Sequence, residues 1–143
     1  MSRPETLQES RTNLLCQVLE DIIIKRYNIG AIMELRREKK NDVTICCIVG
    51  EININTVPDL KVIFNGIIEE KLEKVLLNLE EVEYIDSLGL ATLLFFDKGL
   101  KAAGGKMIIS NIIPKVGSIF KITKVDQVLN IFDAEEDALK HFE

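Results

Sequence analysis

One serine in this chain stands where a modifying enzyme or a partner protein could reach its hydroxyl group. The segment Tyr84–Leu90 follows the apolar strand pattern of Lys74–Leu79 and precedes the apolar helix pattern of Leu90–Phe96. Asp86 or Ser87 therefore falls at a helix N-cap, where backbone N–H groups are unpaired and the helix dipole is positive. A phosphate on Ser87 would be tolerated at such a position.

Catalysis by this serine would need a base close to it. The single histidine, His141, lies near the end of the chain and is predicted to be a solvated residue at a helix C-terminus. The residues before Ser87 also differ from the Gly-x-Ser-x-Gly motif of hydrolases. A small serine hydrolase is therefore a weak hypothesis, and we expect a binding protein without catalytic residues. The acidic residues of Glu80–Glu83 are predicted to be hydrated loop residues.

The cysteines and glycines give no pattern typical of a metal or cofactor site. Cys46 and Cys47 are adjacent in a predicted strand, so their side chains should point to opposite faces, and with Cys16 they make an odd number. We expect all three to be reduced core residues. Gly104-Gly105 lacks the lysine and hydroxyl residues of a phosphate-binding loop and is predicted to end a helix. We therefore expect neither a metal nor a cofactor.

Length and composition fit one globular domain with a hydrophobic core. The chain has 143 residues, of which 47% are hydrophobic and 29% charged. A net charge of -5 offers no basic surface for nucleic acid or for an anionic membrane. No apolar run reaches the roughly 18 residues of a membrane helix, and no signal-peptide core follows the charged N-terminus. We expect a cytoplasmic protein that is not inserted in a membrane.

An amphipathic helix is predicted at the N-terminus, from Thr6 to Tyr27, and Asn28–Gly30 should end it. We assign residues 1–30 to this extension and residues 31–143 to the main domain. The apolar stripe of the helix must be buried, and it consists of Leu7, Leu14, Leu15, Val18, Leu19, Ile22 and Ile23. Docking onto its own domain is the simpler alternative. A homodimer contact or a docking surface for another protein is the other.

Strand and helix patterns alternate through the rest of the chain. We predict a hairpin of Ile32–Arg37 and Val43–Val49 around a charged turn at Glu38–Asp42. The further predicted elements are a helix after the candidate N-caps Asn55 and Thr56, with Leu60, Ile63, Phe64, Ile67 and Ile68 on its apolar face, a strand at Lys106–Ser110, a helix at Pro114–Ile122, a strand at Val128–Phe132 and a helix at Ala134–Phe142. This alternation predicts an α/β domain with a mixed central β-sheet and crossover helices.

Several blocks of this sequence resemble a known family in their order and spacing. They are Ile48–Ile52, Val75–Leu79, Ile85–Leu90, Gly104–Met107, and Pro114–Val116 with Ile119-Phe120. Together they resemble the STAS family, the sulfate-transporter and anti-sigma-factor-antagonist domains. More closely, they are similar to the bacterial anti-sigma factor antagonists of partner-switching pathways. The resemblance extends from about Met33 to Phe142 and implies a single STAS-like domain.

The resemblance implies a regulatory role for Ser87. In the family, the serine after the motif aspartate is phosphorylated by an anti-sigma factor that is also a serine kinase. Asp86 and Gly89 match the aspartate and the glycine of that motif. The unmodified protein would bind the anti-sigma factor and release a sigma factor, phosphorylation would prevent this, and a serine phosphatase would restore binding. The expected partner-binding residues are Glu51, Asn53, Val57, Asp86, Ser87, Leu88 and Gly89.

This chain departs from the family pattern at two positions. Asn53 stands where many antagonists have an aspartate, which could alter partner affinity or phosphotransfer. Leu88 stands where a second serine or threonine is common, so Ser87 is the only hydroxyl residue of the motif. An alternative function is that of a STAS subunit of a transport complex that binds an ABC-type ATPase without phosphorylation. The intact Asp-Ser-x-Gly motif argues against that alternative.

Overall fold

The computed structural model describes residues 25–29 and 33–142, which form a mixed β-sheet with helices on both faces. The strands of this part are β1 (Lys25–Ile29), β2 (Met33–Lys40), β3 (Val43–Ile52), β4 (Lys74–Asn78), β5 (Val82–Ile85), β6 (Lys106–Ser110) and β7 (Ile131–Phe132). The helices are α1 (Val57–Glu69), α2 (Ser87–Ala102), α3 (Pro114–Ile122) and α4 (Glu135–His141), with a 3₁₀ turn at Val125–Gln127. The predicted α/β fold class is confirmed.

Strand β3 connects the antiparallel and the parallel parts of the sheet. The order is β1-β2-β3-β4-β6-β7, with antiparallel pairing from β1 to β3 and parallel pairing from β3 to β7. The first half of β3, Thr44–Cys47, pairs with β4, whereas Gly50–Ile52 pairs with β5. A register shift lies between Gly50 and Glu51 within the β5 pairing, where Glu83 of β5 is the extra residue, and the φ of 111° at Gly50 favours glycine. Strand β3 thus pairs with β4 and β5 in succession along the same side.

The larger part of the core lies between the sheet and the helices α1, α2 and α3. Apolar residues of these helices pack on alternate residues of β3, β4 and β6, because side chains of a strand point to opposite faces. Phe64 of α1 and Phe96 of α2 stack with their ring centroids 3.9 Å apart. On the opposite face, Ala138 and Phe142 cover Ile45 and Leu76. Both faces are thus covered by helices, one more extensively than the other.

Several element boundaries differ from the prediction. The predicted charged turn Glu38–Asp42 is shorter, because β2 continues to Lys40 and β3 begins at Val43. Asn41 has a φ of 56°, a conformation that asparagine tolerates better than most residues. The predicted strand Val128–Phe132 is reduced to Ile131–Phe132, and Val128 is 61% exposed.

Two strands were missed by the prediction. Residues Lys25–Ile29 pair with β2, with Tyr27 opposite Leu35, although the helix pattern was predicted to extend to Tyr27. The rest of the predicted N-terminal helix and Cys16 lie outside the described residues. Strand β5 occupies Val82–Ile85, so Glu83 is an exposed strand residue and the prediction of a loop there is wrong.

Neither a membrane-spanning helix nor a metal-binding cluster occurs among the described residues. Within 25–29 and 33–142, no helix is long and apolar enough to span a membrane. No group of three or more histidine, cysteine, aspartate and glutamate side chains in this part of the chain could hold a metal ion.

Candidate functional site

Asp86 is the N-cap of α2, and Ser87 is the first residue of that helix. The backbone of Asp86 is extended, and its Oδ1 accepts a hydrogen bond of 2.7 Å from the N–H of Gly89. This bond satisfies one of the free N–H groups at the start of the helix. The predicted position of Ser87 at a helix N-terminus is therefore confirmed, with the capping role carried by the residue before it.

The same carboxylate also holds a second loop. Asp86 Oδ2 accepts a hydrogen bond of 3.0 Å from the N–H of Ile54, in the loop between β3 and α1. The N–H of Asp86 donates to the carbonyl oxygen of Ile52 at 3.1 Å. One half-buried side chain thus joins the start of α2 to the β3–α1 loop, two segments that are far apart in sequence.

The β3–α1 loop is stabilised by its own side chains. Asn53 Oδ1 accepts hydrogen bonds from the N–H groups of Asn55 at 2.9 Å and Thr56 at 3.3 Å, a turn typical of asparagine. Its Nδ2 donates to Glu51 Oε1 at 3.2 Å. Thr56 is the N-cap of α1, but its hydroxyl donates back to the carbonyl oxygen of Glu51 at 3.0 Å. An aspartate in place of Asn53 could form the turn but could not donate to Glu51.

Gly89 allows the helix to start close to the sheet. A Cβ atom there would lie 2.7 Å from Ile85 Cγ1 and 2.8 Å from both Cγ2 and the carbonyl oxygen of Ile52. Contacts that short do not occur between well-packed atoms, so any side chain would push α2 away from β3 and β5. Glycine at this position therefore sets the depth of the helix N-terminus and the height of Ser87 above the sheet.

The structure places the seven expected partner-binding residues at one end of the sheet. Ser87 and Leu88 are exposed, and Glu51, Asn53 and Asp86 are half-buried. Gly89 and Val57 are buried, and Val57 is only 2% exposed because it is the first core residue of α1. These two residues offer little surface to a partner, so their prediction as contact residues needs correction.

Two of the three exposed apolar side chains near the serine, Ile54 and Tyr84, were not predicted. Ile54 is 65% exposed, Tyr84 40% and Leu88 39%. Ile54 neighbours Asp86 through the hydrogen bond described above, and Tyr84 lies two residues before Asp86 on β5. An isoleucine between two asparagines in a polar turn was the signal in the sequence, since such turns favour polar residues. We call Ile54, Tyr84 and Leu88 the apolar rim of the site.

The remaining candidate chemical groups do not join Ser87. Within residues 33–142, the Ser87 hydroxyl makes no hydrogen bond to another group. His141 is the last residue of α4, as expected, and its ring packs against Phe132 with centroids 5.0 Å apart. Cys46 is buried and Cys47 half-buried on opposite faces, both as free thiols. Burial raises the pKa of Cys46 to about 12 and that of Cys47 to about 11, so both stay protonated at neutral pH.

The mixed sheet, its covering helices and an exposed serine at a capped helix N-terminus define an α/β domain with a candidate site at one end of the sheet. The family model of the STAS domain matches residues 34–138. The chain therefore belongs to the STAS domain family.

Similar proteins have been described in several bacteria. The anti-sigma-B factor antagonist of Staphylococcus aureus strain NCTC 8325 is 26% identical over 87 residues, which cover 61% of this chain and 81% of that protein. An anti-sigma factor antagonist from Mycobacterium paratuberculosis superimposes with a TM-score of 0.71 at 20% identity, covering 80% of this chain and 97% of that one. The phosphorylated Bacillus cell fate determinant SpoIIAA gives 0.59 at 20% identity, covering 76% and 99%. The two structures show that the fold is shared.

Proposed function

We propose that this protein is a cytoplasmic anti-sigma factor antagonist, a binding protein that is switched by phosphorylation of Ser87. Its unmodified form binds an anti-sigma factor with serine kinase activity, and a sigma factor is released. The observation that carries the proposal is the exposed Ser87 at the start of α2, next to an aspartate whose two carboxylate oxygens are already hydrogen-bonded. The names of the similar proteins support the same function.

Both carboxylate oxygens of Asp86 already accept hydrogen bonds, and this limits the part that Asp86 can take in phosphorylation. Because Asp86 holds Gly89 and Ile54, it is not placed as a base for Ser87, and the kinase partner would supply the group that accepts the hydroxyl proton. The serine Oγ attacks the γ-phosphorus of ATP, the bond from that phosphorus to the β,γ-bridging oxygen breaks, and ADP leaves. A serine phosphatase would return the protein to its binding form by hydrolysis.

Phosphorylation would add negative charge to a contact surface that is largely apolar. The phosphate adds about -1.5 to -2 charges beside Asp86 and within the apolar rim. Interfaces are depleted of charge at their centre, and like charges brought together there cost several kcal/mol. A loss of about 3 kcal/mol lowers affinity roughly 150-fold. The core need not change, because the phosphate is attached to an exposed hydroxyl at a favourable helix N-terminus.

Titration calorimetry with the cognate anti-sigma factor tests the proposal. We expect Ser87→Ala to bind like the unmodified protein, and Ser87→Asp to bind at least about tenfold more weakly because it places a charge at the interface. Ser118→Asp, at another exposed helical serine, is the matched control and should bind normally. Equal affinities for the two Ser87 variants would refute the switch.

Mass spectrometry tests the covalent step separately. Incubation of the protein with ATP and the anti-sigma factor should add one phosphoryl group that maps to Ser87, and Ser87→Ala should remain unmodified. If the protein is not phosphorylated and co-purifies with an ABC-type ATPase, the transport-complex alternative is correct and this proposal is wrong.

A further inference from the structure

An apolar groove lies along the flank of α1 that faces away from α2. The opposite flank of α1 contacts α2 through the Phe64–Phe96 stack and through Ile68, whose side chain lies against Gly99. The groove has a volume of about 340 Å³ and is lined by Arg37, Val62, Ile63, Gly66, Ile67 and Glu70. It therefore runs between α1 and the antiparallel edge of the sheet.

The groove has the apolar lining expected of a helix-docking surface. Val62 is 71% exposed, although it is a large apolar residue on a helix that packs on the core. A Cβ at Gly66 would meet nothing within 4 Å, so this position leaves a notch beside Val62 and Ile63. Arg37 Nη1 and Glu70 Oε2 are paired at 2.6 Å, which satisfies charges at one end of the groove. Apolar side chains at four-residue spacing would fit such a surface.

Strand β1 begins beside this groove. Strand β1 begins at Lys25, which is paired with Arg37, one of the residues that line the groove. The point at which the N-terminal segment joins the described domain, Lys25, is therefore close to the groove. A segment joined directly to the domain is present at high effective concentration, which favours its docking over that of a separate partner.

The sequence of that segment is complementary to the groove. Its apolar residues form pairs that recur every four residues, Leu14-Leu15, Val18-Leu19 and Ile22-Ile23. A helix from Leu7 to Ile23 would be about 25 Å long, and α1 with its 13 residues is about 20 Å long. The two lengths match well enough for the helix to pack along the whole of α1.

We propose that the N-terminal segment Leu7–Ile23 docks as an amphipathic helix into the groove beside α1 of its own domain. It extends the helical layer of α2 and α1 over the strands β1 and β2. The occupant of the groove is thus part of the chain itself, not a second copy or another protein. This proposal is independent of the phosphorylation switch.

Hydrogen exchange of the full-length protein tests the docking. In the unmodified protein, amides of residues 14–23 should exchange slowly at a rate that does not depend on protein concentration. Val62→Asp places a charge in the groove and should accelerate their exchange at least about tenfold, while the amides of β3 and β4 stay protected. Ile122→Asp is the matched control, because Ile122 is 81% exposed on α3 outside the groove, and it should leave residues 14–23 protected.

Three other results would overturn the proposal. Fast exchange of residues 14–23 in the unmodified protein, or equal protection in both variants, would show that the groove does not hold the segment. Protection that increases with concentration, together with a dimer in sedimentation analysis, would show that a second copy occupies it. If Val62→Asp also lost protection of β3 and β4, Gly66→Gln would replace it, since that exposed position has open space for a side chain.

Discussion

The Asp86 carboxylate offers a quantitative test of how the site is held together. It accepts one hydrogen bond within α2, from Gly89, and one from the β3–α1 loop, from Ile54. Alanine removes both acceptors. Asparagine keeps one oxygen, which can still accept from Gly89, but its amide group would then face the N–H of Ile54, where two donors cannot bond. The two substitutions therefore separate the capping bond from the bond between the loops.

The expected magnitudes follow from these contacts. Loss of an aspartate N-cap costs about 1 kcal/mol, and asparagine caps about as well as aspartate. The bond to Ile54 lies in exposed surroundings, so we assign it about 1 kcal/mol, the lower end for a charged acceptor. Asp86→Asn should thus lower the free energy of unfolding by about 1 kcal/mol and Asp86→Ala by about 2 kcal/mol. Both should also loosen the β3–α1 loop.

Urea unfolding followed by circular dichroism measures these differences. The midpoint should decrease from the unmodified protein to Asp86→Asn and further to Asp86→Ala, with an unchanged slope, because the same surface is exposed on unfolding. Glu83→Ala, which removes a nearby exposed carboxylate on β5, serves as control and should change stability by no more than about 0.5 kcal/mol. Equal midpoints for all four proteins would refute the idea that Asp86 joins the two segments.

Two further predictions concern buried groups. Gly89→Ala should lower the free energy of unfolding by about 1–2 kcal/mol in the same urea experiment, because its Cβ would lie 2.8 Å from the carbonyl oxygen of Ile52. Gly117→Ala is the control and should be neutral or stabilising, because its Cβ would meet its nearest neighbour at 3.7 Å. In a Cys16→Ser background, Cys47 should react with iodoacetamide at pH 8 about 100-fold more slowly than an ordinary thiol, because burial raises its pKa from 9.0 to about 11. The Cys47 thiol loses its proton at lower pH in the unfolded chain than in the folded protein, so the free energy of unfolding should fall as the pH rises from 9 toward 11. Rapid alkylation of Cys47 in the folded protein would contradict the raised pKa and therefore both predictions.

The parts of the site that depend on neighbouring residues could be predicted from the sequence. The change from strand to helix around Ser87 is local, and Asp86 caps the residue three positions later. The apolar pattern of α1 likewise predicts which side enters the core, and Leu60, Phe64 and Ile67 are buried. In these segments the local preference and the tertiary packing favour the same structure, so short-range reasoning was sufficient.

The missed elements depend on pairing with distant residues. Strand β5 has four residues with a glutamate among them, too short and too charged to indicate a strand by its pattern. It forms because Gly50–Ile52 of β3 extends beyond the pairing with β4 and offers a parallel edge. Strand β1 continues an amphipathic pattern that favours a helix, yet its pairing with β2 overrides that preference. Neither pairing partner is visible in a local window of sequence.

The length of β3 also explains why Ser87 and the β3–α1 loop meet. The pairing of β3 with β4 ends at Cys47, and Gly50–Ile52 at the end of β3 remain to pair with β5. Because Ile52 pairs with Ile85, β5 ends next to Ile52, and Asp86 follows within hydrogen-bonding distance of Ile54. The surface around Ser87 is therefore assembled by strand pairing with residues much earlier in the sequence. Changes at Gly50 should disturb that surface even though residue 50 is not part of it.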